Sequence, residues 1–125
     1  METVHARTVA EVVAVASEPG RAPSPTVDIA ATGPQRIRLT LAGDLGTGAL
    51  RELEERFADR RLAEAVEWDV DMSGVGHLDL ACAYALLRAA TERPANAALT
   101  VHGARHDVRR TLRHTGFEAV AEIGG

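Results

Sequence analysis

Three short stretches of this 125-residue chain alternate strictly between apolar and polar side chains. Ile37, Leu39 and Leu41 enclose Arg38 and Thr40. Val66, Trp68, Val70 and Met72 enclose Glu67, Asp69 and Asp71. Leu99 and Val101 alternate with Thr100 and His102. A period of two marks a strand with one dry face and one wet face, because a strand buried on both faces reads as an unbroken apolar run. If the three stretches share a sheet, its dry face is Ile37, Leu39, Leu41, Trp68, Val70, Leu99 and Val101. Its wet face is Arg38, Thr40, Glu67, Asp69, Asp71, Thr100 and His102. Helices then belong on the first face, and the second stays at least partly in water.

The segments between these strands have helical spacing. Leu50, Leu53 and Phe57 recur at intervals of three and four, with Thr47 placed as an N-cap. On the outer face of that helix, Arg51 and Glu55, and Glu52 and Arg56, stand four apart and are expected to pair. A second helix is expected from about Asp79 to Glu92, ending before Pro94. A third spans about Arg105 to His114 with Val108 and Leu112 inward; Gly116 is placed to end it in the left-handed conformation, with Phe117 folding back on Leu112 or its neighbours. Val27 and Ile29 suggest an additional strand, joined to the next through a turn at Thr32-Gly33-Pro34, and Val120 to Ile123 a last short one. Strands separated by helices imply parallel pairs with right-handed crossovers. The expected fold class is α/β, a small mixed β-sheet with helices packed on one face, in the order β-β-α-β-α-β-α.

The length suits one domain with one core. Residues 1–24 stand apart as an N-terminal extension and linker, and residues 25–125 form the domain. Val9, Val12, Val13 and Val15 suit a short amphipathic helix, but the proline-rich stretch from Glu18 to Pro25 cannot continue it. The extension reads first as a disordered tail and second as a partner-binding or dimer-swapped helix.

Net charge is −4 and the pI about 5.7. That balance argues against a duplex nucleic-acid binder and against docking on an anionic membrane surface. Cys82 is the sole cysteine, so no internal disulfide forms and a reducing compartment is the simplest setting. No apolar run reaches membrane-spanning length, and no signal peptide is evident. The expected setting is a bacterial cytoplasm.

Chemistry-bearing constellations are sparse. His102 and His106 are four apart, but one is expected at a strand end and the other at a helix start, so they do not share a face as metal ligands. Cys82 with His77 resembles a nucleophile pair, but the thiol lies in a largely apolar helix, where it fills the core. Glu67, Asp69 and Asp71 line one strand face without a second catalytic group, and pairing with Arg38 accounts for them. Arg109, Arg110 and Arg113 form a small basic face that suits acidic protein or a nucleotide phosphate, or simply water. Gly43, Gly46 and Gly48 do not match a phosphate-cradling loop. Ser73 is expected to be tied into its turn, and neither it nor Thr47 is favoured as a phosphate acceptor. No catalytic residue, metal site or cofactor is expected.

The run Val75-Gly76-His77-Leu78-Asp79-Leu80-Ala81-Cys82-Ala83-Tyr84-Ala85-Leu86-Leu87 carries the most information about function. It reads as a strand ending at Met72, a turn, and a helix opening at Asp79. This resembles the signature turn of the STAS family, the sulfate-transporter and anti-sigma-factor-antagonist domains. Three other pieces are similar in order and spacing, within about residues 26–124: the strand end Leu41-Ala42-Gly43-Asp44-Leu45, the strand end Val70-Asp71-Met72-Ser73-Gly74-Val75, and the closing segment from Val101-His102-Gly103 to Thr115-Gly116-Phe117.

In anti-sigma-factor antagonists that turn presents a serine directly after the aspartate. Unphosphorylated, it binds an anti-sigma kinase and frees a sigma factor; phosphate breaks the complex, and a phosphatase resets this partner switch. Here Leu80 stands at the acceptor position, with Ala81, Cys82 and Tyr84 at positions the family fills with Ser or Thr, Gly and Gly. Gly46 replaces the aspartate that ends the earlier strand, and Asp79 alone is retained. The resemblance therefore implies a non-enzymatic protein-binding module in transcription regulation that cannot be switched by phosphate at residue 80. The implied partner-binding set is His77, Leu78, Asp79, Leu80, Ala83 and Tyr84, with Asp44, Gly46 and Thr47 beside them. Leu78, Leu80 and Tyr84 are expected to form an exposed apolar patch. The implied partner is an anti-sigma factor, a kinase-fold protein or a larger regulatory assembly. Two alternatives remain open: a ligand-sensing domain that binds a nucleotide or other small molecule near Asp44 to Thr47 and Asp79, and a structural homodimer built through Leu80, Tyr84 and the N-terminal segment.

Overall fold

A computed structural model describes residues 24–92 and 97–124. The expectations for the N-terminal extension lie outside the described residues, whereas the second helix ends at Thr91 with Glu92 as its C-cap, before Pro94 as expected. Strand β1 (Thr26–Gly33) runs antiparallel to β2 (Arg36–Leu45). The hairpin turn falls on Pro34 and Gln35, slightly beyond the expected Thr32-Gly33-Pro34, with Gln35 in the left-handed region at φ 59°. The Gln35 carbonyl accepts from Val66 N at 2.8 Å and so fastens the turn to the start of β3 (Glu67–Leu78). Strands β3, β4 (Ala98–His102) and β5 (Ala121–Ile123) each run parallel to the strand before, giving a sheet of order β1-β2-β3-β4-β5.

The alternation assigned both faces. Ile37, Leu39, Leu41, Trp68, Val70, Leu99 and Val101 are all buried, and no polar or charged residue is buried among those described. The opposite face is wet and tied together by polar side-chain contacts. Arg38 Nη2 lies 3.2 Å from Asp69 Oδ2, His102 Nε2 lies 2.6 Å from Asp69 Oδ1, and Arg36 pairs with Glu67. The α-helices among the described residues are α1 (Leu50–Phe57), α2 (Arg60–Glu64), α3 (Leu80–Thr91) and α4 (His106–His114). They contribute Leu53, Leu62, Leu86 and Leu112 to the apolar side. Gly116 closes α4 at φ 82°, and Phe117 is fully buried beyond it.

Four expectations are corrected. The helix after β2 is broken into a 3-10 turn (Thr47–Ala49), α1 and the additional short α2. Thr47 does not cap; Gly46 holds the capping position, without a side-chain bond. The outer pairs of α1 do not form: Arg56 donates to the Val27 carbonyl rather than to Glu52, and Arg51 and Glu55 form no ion pair. A main-chain acceptor within reach competes with an exposed carboxylate worth only a few tenths of a kcal/mol.

The fourth correction positions the site. β3 does not end at Met72 but continues to Leu78 along β2. Its register slips twice. Thr40 and Ala42 face Asp71 and Gly74, and Gly43 and Asp44 face Val75 and His77, so β3 carries an extra residue at each step. A bulge adds one residue to one strand and re-aims those that follow. Two bulges convert the period of two into a spacing of three, and Met72, Val75 and Leu78 are the buried positions. Gly74 permits this, since a Cβ there would lie 2.9 Å from Ala42 Cβ.

Asp59 caps α2, accepting from Arg61 N at 2.8 Å. Bonds from the Arg61 side chain and then from its backbone hold the Asp59 carboxyl down to about 2. A depressed carboxyl contributes stability that is complete above its unfolded value and is lost as pH falls through its folded one. Asp59→Asn is therefore expected to flatten the acid limb of stability between the unfolded value of 3.8 and about 2. Urea unfolding across that range checks it; an unchanged acid limb contradicts it.

Candidate functional site at the start of α3

The site lies where β2 and β3 end side by side. Asp44 is opposite His77 and Leu45 opposite Leu78. The chain then turns at once: Asp79 N donates to the Leu45 carbonyl at 2.8 Å. Asp79 is the N-cap of α3, extended at φ −78° and ψ 151°, with its carboxylate accepting from Ala81 N at 3.0 Å. Its carbonyl accepts from Ala83 N at 3.0 Å. The Cys82 thiol donates to the Gly46 carbonyl at 3.3 Å and fastens the first turn of α3 to the loop after β2. Burial, and then the negative charges of Asp79, Glu54 and Asp44, push that thiol up to about 11. A thiol held protonated in this way is not a nucleophile.

Leu80 occupies the first helical position and points into solvent, 44 % exposed. Tyr84 stands one turn later, 39 % exposed. Together with Val66 they are the large apolar side chains left open among the described residues. Leu78 and Ala83, expected to touch a partner, do not reach the surface: they are 5 % and 0 % exposed. The second bulge in β3 turns Leu78 inward, and Ala83 lies on the core side of α3 with Cys82 and Leu86. Around the exposed pair, His77 and Thr47 are open and Asp44, Gly46 and Asp79 are half-buried. One Asp44 carboxylate oxygen, Oδ1, is enclosed without a hydrogen-bond partner. A Cβ at Gly46 would lie 3.3 Å from it, so a larger side chain there would press on this carboxylate.

A groove of about 620 Å³ adjoins the site, lined by Ser24, Gly43, Asp44, Gly74, His77 and Arg105 among others. The sequence offered no signal for Arg105 here, because it comes from the connection after β4, at the N-cap of α4. Ser73 is tied down as expected: its N and Oγ both donate to Asp71 Oδ1, at 2.9 and 2.8 Å, and hold the Asp71 carboxyl below its ordinary range. No cluster of three metal-ligating side chains occurs among the described residues. None of the helices among those residues is long and apolar enough to cross a membrane.

The sequence profile of the family described as "Mlab, STAS domain" matches residues 30–122. This chain belongs to the STAS family. Among solved structures, this STAS domain is similar to an anti-sigma factor antagonist from Mycobacterium paratuberculosis, at TM-score 0.69 and 15 % identity, covering 80 % of this chain and 85 % of that one. It is also similar to the anti-sigma factor antagonist SpoIIAA in its unphosphorylated form, at TM-score 0.58 and 10 % identity, covering 80 % and 89 %. The phosphorylated form of SpoIIAA, a Bacillus cell fate determinant, aligns at the same score and identity over 80 % and 92 %. At these identities the likeness establishes the shared STAS fold. The search of curated proteins gives no match.

Proposed function

We propose that this STAS domain is a non-enzymatic interaction module of a bacterial regulatory system that docks a protein partner through the start of α3. One observation carries the reading: at the position where the family's antagonists carry their phosphorylatable serine, Leu80 is open to solvent, with Tyr84 one turn away. An aliphatic and an aromatic side chain exposed together make the apolar centre of a small interface, with His77, Asp79, Asp44, Gly46 and Thr47 as its polar rim. Leucine carries no hydroxyl, so docking here is independent of phosphate at residue 80. The likeness to anti-sigma factor antagonists supports an anti-sigma factor, a kinase-fold protein or a larger regulatory assembly as partner. The cytoplasm is the compartment in which such a partner is met.

Leu80→Asp tests the reading. An interface centre of this kind is worth about 2 kcal/mol or more, roughly a thirtyfold loss of affinity. Because Leu80 is exposed, stability should change by only about 0.5 kcal/mol. Capture of partner from source-cell extract, quantified beside thermal melting, reads both. Undiminished capture by a folded Leu80→Asp protein defeats the proposal.

A second reading, small-molecule sensing, draws on the groove that Asp44, His77 and Arg105 help to line. A thermal-shift panel of nucleotides addresses it, and silence across the panel counts against it.

A further inference from the structure

Among the described residues β1 forms one edge of the sheet, with β2 as its strand neighbour. An edge strand turns alternate backbone N–H and C=O groups outward, where they can template another strand. Proteins commonly blunt such edges with lysine, proline or a mid-strand bulge. β1, of sequence TVDIAATG, holds neither lysine nor proline, and Asp28 is its one charge. Its register irregularity falls at the hairpin end, between Ala31 and Gly33.

The protection comes from two other elements. Arg56, in the last turn of α1, donates Nη2 to the Val27 carbonyl at 2.5 Å. Arg61, in α2, donates Nη1 to the Ile29 carbonyl at 2.9 Å. Residues two apart in a strand turn their carbonyls to the same side. Two successive acceptors of β1 are thus occupied by guanidinium groups. The Arg61 fork is itself held in place. Its Nε and Nη2 engage the Asp59 carboxylate at 3.1 and 3.0 Å, which leaves Nη1 directed at β1.

We propose that Arg56 and Arg61 latch the β1 edge shut, and that the strand they exclude is β1 of a second copy of this chain. Antiparallel pairing about a two-fold axis is self-complementary and keeps the same sheet face inward in both copies. A register centred on Ile29 sets Val27 opposite Ala31 and Asp28 opposite Ala30, so that no like charges face each other. This edge is separate from the start of α3, and the proposal does not depend on what docks there.

The test is the full chain carrying Arg56→Met and Arg61→Met, which keep the aliphatic length and remove the donors. Sedimentation equilibrium over a concentration series is expected to show a dimer dissociation constant lower than that of the native chain by on the order of tenfold or more. Amide hydrogen exchange is expected to show Val27, Ile29 and Ala31 gaining protection as concentration rises. Ala31→Pro removes an outward N–H and should return the double variant to native mass. A folded double variant that matches native mass at every concentration overturns the proposal, as does association that survives Ala31→Pro. Should the double variant fail to fold, the single variants are read in the same way, and native mass in both overturns it.

Discussion

Trp68→Ala is expected to remove about 3–5 kcal/mol of folding stability. Trp68 is the chain's one tryptophan, 1 % exposed, at the beginning of the central strand β3. It stands opposite Ile37 on β2 and Leu99 on β4, both buried. Truncation strips apolar contact from three strands at once, and the surrounding side chains relax only partly into the cavity. Domains of this size have a total stability of about 5–15 kcal/mol, so a large share is lost, with a fall in Tm of roughly 15–30 °C. Circular dichroism during urea and thermal unfolding measures this without the fluorophore that the substitution removes. Trp68→Phe should cost clearly less. A loss below about 1.5 kcal/mol for the alanine variant would mean that the sheet repacks around the site, contrary to this expectation.

Gly43→Ala is expected to cost about 2–4 kcal/mol, the largest effect among the glycines. Two causes combine. Gly43 sits at φ 93°, and a Cβ there would lie 2.3 Å from the Ser24 carbonyl oxygen and 2.9 Å from its carbon. Both contacts are main chain, so the approach to β1 must move for the methyl group to fit. Two controls separate the causes. Gly116 is at φ 82° with open space around it, so Gly116→Ala should show the conformational cost alone, about 1 kcal/mol. Gly48 has no positive φ and open space, so Gly48→Ala should be neutral within about 0.5 kcal/mol. Chemical denaturation of the three variants gives the ranking; Gly43 falling level with Gly116 would show that the Ser24 approach yields at little cost. Gly43 precedes Asp44, so displacement there also disturbs the rim of the proposed docking site.

These expectations rest on different kinds of information. The face of each strand was legible because side-chain direction in a strand has a period of two, a property of a few consecutive residues. Trp68 in the core and Arg38 in water follow from that alone. The helix opening at Asp79 was legible too, since a carboxylate that accepts from the N–H two residues on is a local arrangement. So was the left-handed close at Gly116.

The bulges in β3 were not legible. Ser73 to Gly76 reads as a turn because its alternation fails, and only pairing with β2 shows the failure to be an inserted residue at each of two steps. The same long-range pairing decided that Leu78 faces the core while Leu80 does not. Burial of Ala83 depended on which helix face meets the sheet, and Arg105 reached the His77 groove through a crossover. Arg56 looked like the partner of Glu52 four residues away and instead serves β1, 29 residues earlier.

The sequence alone determined which strand residues prefer water, the order of the strands, and that residue 80 is a leucine with no hydroxyl to offer. Tertiary structure decided which of those side chains remain exposed and which backbone groups the arginines close. Periodicity is a relation among neighbours along the chain, whereas exposure at the ends of elements depends on atoms brought close by distant segments.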